Sequence, residues 1–322
     1  MKKVYSIIIL VLLVFVVGCS NNKNKGEEKL NIVTSFYPMY VATSNIVKDI
    51  DNISLTCLAN PEVGCLHDYQ LTVNDMITLE TADIFVINGG GMESFLDKAL
   101  STYPDLKVVN ASEGIIEDYE YHEEDEEDDH LNESNSHIWV SIDLHIKQIE
   151  KICEELKEAD PENANKYEEN KINYIERLNE LKEKMHLELD DVPNKNIITF
   201  HEAFYYFAEE FGLNIVSVIE REPGTSPSAG ELAEIIEKIK NEKATAIFVE
   251  PGYEKTAANV ISRETAIPIY ELDPITSGAF NDEAYIEAMN KNLVVLMEAL
   301  NNEWEMWILL YKNTKYKCFV WG

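Results

Sequence analysis

Ile197-Ile198-Thr199-Phe200-His201-Glu202-Ala203-Phe204-Tyr205-Tyr206-Phe207 is the stretch whose reading decides the fold. A short β-branched run ends in a histidine, and aromatic residues at three- and four-residue spacing follow at once, so a strand gives way to a helix with His201 at the turn. Ligands of open α/β sheets sit beyond the carboxyl ends of the strands, which makes a histidine there a candidate binding residue. Three further positions repeat the arrangement. His67 follows the run Ile53 to Leu58, His137 follows Lys107 to Asn110 after a charged insertion, and Asp273 follows Ile267 to Leu272. Three imidazoles and one carboxylate at strand ends suit a single divalent metal.

Outward from that stretch, the second half reads as strands over Asn196 to Phe200, Asn214 to Ile219, Ala244 to Glu250 and Pro268 to Leu272. Helices over 202–210, 231–240, 254–264 and 285–300 alternate with them. The first half repeats the alternation, with strands over Asn31 to Phe36, Ile53 to Leu58, Asp83 to Asn88 and Lys107 to Asn110, and helices over 38–49 and 72–80. Regular alternation predicts parallel sheets, one in each half. Gly89-Gly90-Gly91 lacks the GxGxxG spacing of a dinucleotide site and reads as a tight strand-to-helix turn. Between the halves, Asp160-Pro161 looks like an N-cap with a proline at the first helical position. The run from there to Leu189 has a helical period and no glycine or proline after Pro161, so it forms a stiff connector of roughly 40 Å.

The amino terminus is basic at Lys2 and Lys3, apolar from Val4 to Val17, and broken by Gly18-Cys19-Ser20, the pattern of a secretory signal. Val16-Val17-Gly18-Cys19 resembles the lipobox of bacterial lipoproteins, which implies that Cys19 is lipidated and that the mature chain is soluble but anchored on the extracytoplasmic face of the membrane. The organisation expected is a signal over residues 1–18, a polar tether over 19–29, a lobe over 30–157, a connecting helix over 158–191, a second lobe over 192–300 and an aromatic, basic tail over 301–322. A monomer is expected. The tail has no functional reading.

A net charge of −32, from 59 acidic against 27 basic residues, excludes nucleic acid as a partner and favours cations. Residues 117–130 are nearly all acidic, with His122 and His130 among them. Such a block does not fold on its own, and it is either a solvated charge run or a low-affinity cation collector. Cys57 and Cys65 either bridge or pack as thiols, and no CxxC pair is present. His145 and His186 lie on helical stretches without motif context and read as surface residues.

His67-Asp68-Tyr69, Asn88-Gly89-Gly90-Gly91-Met92-Glu93, Ser136-His137-Ile138-Trp139, Phe200-His201-Glu202-Ala203-Phe204, Glu220-Arg221-Glu222-Pro223, Phe248-Val249-Glu250-Pro251 and Leu272-Asp273-Pro274 stand in this order along the chain. The series resembles the substrate-binding lipoproteins of bacterial zinc and manganese ABC importers, over most of residues 30–300. The resemblance implies two Rossmann-like α/β lobes on one rigid helix, a metal site in the cleft between them, ligation by His67, His137, His201 and Asp273, and delivery of Zn2+ to a membrane permease. A histidine at position 201 points to zinc, because the manganese branch resembles a glutamate there. Two departures stand out. Cys65-Leu66 replaces the Glu-Pro of many members, which leaves Cys65 open as a thiolate. Asn135-Ser136 replaces Asp-Pro before His137, which leaves His130 open as a substitute.

Metal-binding imidazoles must be neutral, so affinity is expected to fall below about pH 6.5. Capture of manganese or iron, or an adhesin-like surface role, are the alternatives within the same resemblance. A zinc hydrolase would need Glu202 as base, but Tyr205 stands where an HExxH motif requires histidine.

Overall fold

The computed structural model describes residues 29–61, 64, 66, 69–115, 135–219 and 227–301. The first lobe contains β1 (Leu30–Thr34), α1 (Tyr37–Ile46), β2 (Ile53–Cys57), α2 (Val73–Glu80), β3 (Ile84–Ile87), α3 (Asp97–Leu100) and β4 (Lys107–Asn110). Two helices follow, α4 (Ile142–Ala159) and α5 (Ala164–Leu189). The second lobe contains β5 (Asn196–Thr199), α6 (Tyr205–Phe211), β6 (Asn214–Val218), α7 (Ala229–Glu242), β7 (Ile247–Val249), α8 (Thr256–Thr265), β8 (Ile269–Glu271) and α9 (Ala284–Leu300). The sheets run β2-β1-β3-β4 and β6-β5-β7-β8, with every pairing parallel. The repeat legible in the sequence is therefore a repeat of topology, and each sheet reverses strand order once, between β1 and β3 and between β5 and β7.

Local chemistry sets the element ends. Thr72 opens α2 and Ser228 opens α7 as capping boxes, their hydroxyls accepting from Asp75 N and Glu231 N while those carboxylates accept from the cap backbone. Gly212, at φ 63°, ends α6 in the left-handed conformation that glycine adopts without strain. The glycine triplet does what its composition suggests, since Gly89, Gly90 and Gly91 all have positive φ directly after β3.

The connector differs from expectation at its start. Asp160 closes α4, and its Oδ2 accepts from Asn163 Nδ2 and Tyr167 OH, so it is occupied with the turn and the long helix begins at Ala164. One stripe of that helix is buried: Tyr167, Asn170, Tyr174, Leu178, Leu181, Met185 and Leu189. Their three- and four-residue spacing keeps them on one face. Asn170 donates to the Ile46 and Lys48 carbonyls at the end of α1, while Arg177 pairs with Glu283 beside α9. The helix is thus fastened to both lobes.

The hydrophobic core does not stop at the lobe boundary. One cluster joins Ile32, Phe36 and Trp139 to Tyr174 and Met185, and onward to Ile197, Phe207, Phe248 and Leu296. Polar bonds cross with it. Trp139 Nε1 donates to the Pro274 carbonyl (2.7 Å), Tyr285 OH to the Trp139 carbonyl (2.9 Å), and Tyr37 OH to the Ala279 carbonyl (2.7 Å). Glu210 of α6 accepts from Ile142 N and Asp143 N, capping α4 from the other lobe.

One reading needs correction, and one left open is decided. His145 is not a surface residue: it is fully buried, stacked on Tyr285 with ring centroids 4.3 Å apart. It lies on the apolar stripe of α4 with Gln148, Ile149, Ile152 and Leu156, which explains the burial. Cys57 is a free thiol whose Sγ donates to the Ala59 carbonyl, so it is not bridged. Among the described residues no helix is long and apolar enough to cross a membrane.

Candidate metal centre

His137 is fully buried and stands immediately before a short 3-10 turn, Ile138–Val140. Its ring is held by Asn135. The Asn135 amide nitrogen donates to the Glu202 carbonyl (2.9 Å), which fixes the other amide atom as oxygen, and that Oδ1 lies 2.9 Å from both His137 N and His137 Nδ1. An amide oxygen only accepts, so Nδ1 carries the proton and Nε2 presents its lone pair. The departure from Asp-Pro-His therefore preserves the chemistry, because asparagine supplies the acceptor that orients the imidazole.

The segment behind His137 is anchored by the glycine-rich motif. Asn88 Nδ2 donates to the Ser136 carbonyl (2.8 Å), and Asn88 Oδ1 accepts from Gln148 Nε2 (2.8 Å). Glu93 locks this turn by accepting from Ser35 Oγ, Asn88 N and Gly89 N. Burial pushes the Glu93 carboxyl up to about 7 against the pull of those bonds. Asn88 and Glu93 thus position the backbone that carries His137.

His201 follows β5, is 2% exposed, and precedes the 3-10 turn Glu202–Phe204. Its Nε2 lies 3.1 Å from His137 Nε2, with the rings edge to face at 81°. Two nitrogens bound to one tetrahedral Zn2+ at ordinary Zn–N lengths lie about 3.3–3.4 Å apart, so the pair needs only a few tenths of an ångström to share an ion.

Asp273 follows β8 and is half-buried. Its backbone is clamped by Asn292, whose Oδ1 accepts from Asp273 N while its Nδ2 donates to the Asp273 carbonyl. Asp273 Oδ1 accepts from Ile275 N (2.7 Å). Burial raises the Asp273 carboxyl, partly offset by that bond. Between the strands bearing His201 and Asp273 runs β7, and the residue that follows it is Glu250. Glu250 is 2% exposed, its Oε1 has no hydrogen-bond partner among the described residues, and burial together with the charge of Asp273 pushes it up to about 8.

The structure thus brings His137 and His201 together and places Asp273 on the same sheet edge as His201. Among the described residues no three His, Cys, Asp or Glu side chains converge into one metal-holding group. His67, Cys65, His122, His130 and Cys19 lie outside the described residues, although the neighbours of His67 are fastened to the first lobe: Leu66 is fully buried and Tyr69 OH donates to Asp75. Sequence reading missed Asn135 as an orienter and Glu250 as a buried acid beside Asp273. The signal for Glu250 was available, since an acid directly after an apolar strand occupies the same kind of position as His201 and Asp273.

Two parallel-sheet lobes fixed to one helix thus bring nitrogen donors of both together. The chain belongs to the family described as zinc-uptake complex component A, periplasmic, whose profile matches residues 32–299. That family consists of metal receptors of transporters, not enzymes. The chain is 32% identical over 314 residues to the zinc-binding lipoprotein AdcA of Streptococcus pneumoniae, covering 94% of this chain and 62% of AdcA. It spans less than two thirds of that relative's length. It is 30% identical over 309 residues to the high-affinity zinc uptake system protein ZnuA of Bacillus subtilis, covering 91% of this chain and 96% of that protein. Among solved structures, the solute-binding protein FpvC of Pseudomonas aeruginosa in complex with Mn2+ superposes with a TM-score of 0.72 at 28% identity, over 84% of this chain and 98% of FpvC.

Proposed function

We propose that this chain captures Zn2+ outside the cell and delivers it to the permease of an ABC importer, held at the membrane by lipid on Cys19. Zn2+ is cargo here, bound by His67, His137, His201 and Asp273 from both lobes. The observation that carries the reading is the approach of two buried Nε2 atoms to 3.1 Å, one with its tautomer fixed by Asn135. Imidazole-rich sites favour zinc, and one carboxylate leaves a positive centre that the −32 charge of the chain offsets. The acidic segment with His122 and His130 gathers cations at low affinity. The lobes act as a monomeric unit.

Elemental analysis of the purified chain, followed by competition among Zn2+, Mn2+ and Fe2+, tests the assignment. One equivalent of retained zinc is expected. Manganese retained over zinc would overturn the cargo and leave the fold untouched.

A further inference from the structure

We propose that Glu250 is a cargo-discriminating residue: its carboxylate joins the coordination sphere of a larger, oxygen-preferring divalent ion such as Mn2+ and stays outside that of Zn2+. The inference rests on the metal-receptor reading above and extends it to a fifth side chain.

Position is the first argument. Thr199 of β5 pairs with Phe248 of β7, and Val249 of β7 pairs with Glu271 of β8. Continuing the register one or two residues sets His201, Glu250 and Asp273 on three adjacent strand ends, with Glu250 in the middle. Backbone bonds maintain that alignment beyond the strands, from Phe200 N to the Phe248 carbonyl (2.7 Å) and from Leu272 N to the Val249 carbonyl (2.9 Å). The second sheet reverses its strand order between β5 and β7. Open α/β sheets bind ligands at that reversal, and His201 and Glu250 flank it.

Burial is the second argument. A carboxyl group taken out of water is ordinarily hydrogen-bonded or paired with a cation. Glu250 Oε1 has neither among the described residues, and the charge that acts on Glu250 is that of another acid, Asp273. Folding gains nothing from two neighbouring carboxyls at a buried sheet edge. A divalent cation held between them reverses the balance, because each oxygen then faces positive charge. Glu93, another buried acid, is the contrast: three donors converge on it, and its role is fully accounted for by the turn it locks.

Coordination chemistry supplies the discrimination. On the proposed ligand set, three histidines and Asp273 would complete a tetrahedral zinc sphere, leaving no place for another donor. Manganese takes more ligands and prefers carboxylate oxygen. A glutamate on the strand end between those of His201 and Asp273 therefore favours manganese selectively.

The test compares the full-length chain with Glu250→Gln, which keeps shape and polarity and removes the anionic donor. Calorimetric titration with Zn2+ and with Mn2+ is expected to show manganese affinity reduced at least tenfold and zinc affinity changed less than threefold. Unchanged manganese affinity, or equal loss for both ions, overturns the inference. If the unaltered chain binds neither ion, it is the receptor reading that fails. A crystal of the unaltered chain grown with Mn2+ gives a second decision that does not depend on how the variant folds: a Glu250 oxygen bound to manganese supports the inference, and a Glu250 side chain outside the coordination sphere overturns it.

Discussion

His137 Nε2 and His201 Nε2 lie 3.1 Å apart although 64 residues and a lobe boundary separate them in the chain. Nothing apolar requires these nitrogens to meet. Removing one should therefore cost binding far more than folding. His201→Ala is expected to lower zinc affinity by at least two orders of magnitude, about 3 kcal/mol, with the far-ultraviolet circular dichroism unchanged. Calorimetry giving the affinity of the unaltered chain would reject the site.

Asn135 gives a sharper test, because it would touch no metal and acts through His137. Its Oδ1 holds the His137 ring and its Nδ2 reaches the Glu202 carbonyl in the other lobe. Loss of such an orienting partner typically costs about 10–100-fold in metal affinity. Asn135→Ala should fall in that range, while Asn135→Asp, which retains the acceptor oxygen, should recover most of it. Equal loss in both variants would mean that the bond to Glu202, not ring orientation, is what matters.

How much of this was legible beforehand follows from what each residue needs. Buried parallel strands read as continuous apolar runs, so the strand ends, and with them His201 and Asp273, could be located from local pattern alone; His137 stands at a 3-10 turn well beyond β4, and only its own motif marked it. Glu250 carries the same local signal, an acid directly after an apolar run, but its place between two other strand ends exists only once β5, β7 and β8 are in register. Asn135 was misjudged for a related reason: it differs from aspartate by name but offers the same acceptor, and only the bond to Glu202 fixes which way it points. The Asp160-Pro161 signal misplaced the start of the long helix, because Asp160 closes α4 and its carboxylate is taken up by Tyr167 and Asn163.

His145 makes stability pH-dependent. Burial depresses its imidazole to about 4, with Gln148 opposing slightly, whereas an unfolded histidine titrates near pH 6.5. Between those values the unfolded chain binds a proton that the folded chain does not, so stability is highest above about pH 6.5 and falls as the pH drops towards 4. A shift of this size corresponds to roughly 3 kcal/mol over the window. Replacing the imidazole with a ring of similar shape, His145→Phe, should keep the stack on Tyr285 and flatten this part of the profile, measured as the difference from the unaltered chain in urea unfolding at pH 7 and pH 4.5. Parallel profiles would show that His145 is not the group responsible.

The loop that leaves Asp273 is strapped to the first lobe, and Gly278 is its tightest point. Tyr37 OH donates to the Ala279 carbonyl, Asn45 Nδ2 to the Asp282 carbonyl, Lys48 pairs with Asp282, and Phe280 lies against Tyr40. Gly278 has φ 151°, and a Cβ there would stand 2.5 Å from the Tyr37 hydroxyl. Tyr37 is 2% exposed and has no room to retreat. Gly278→Ala should therefore break the strap and cost about 2–4 kcal/mol, by backbone strain and overpacking together. Tyr37→Phe removes only the hydroxyl and should cost about 1 kcal/mol, the ordinary net value of one hydrogen bond. Urea unfolding would show both as lowered midpoints at an unchanged slope. If the two variants lose the same amount, the hydroxyl bond accounts for the strap and the steric argument at Gly278 is wrong.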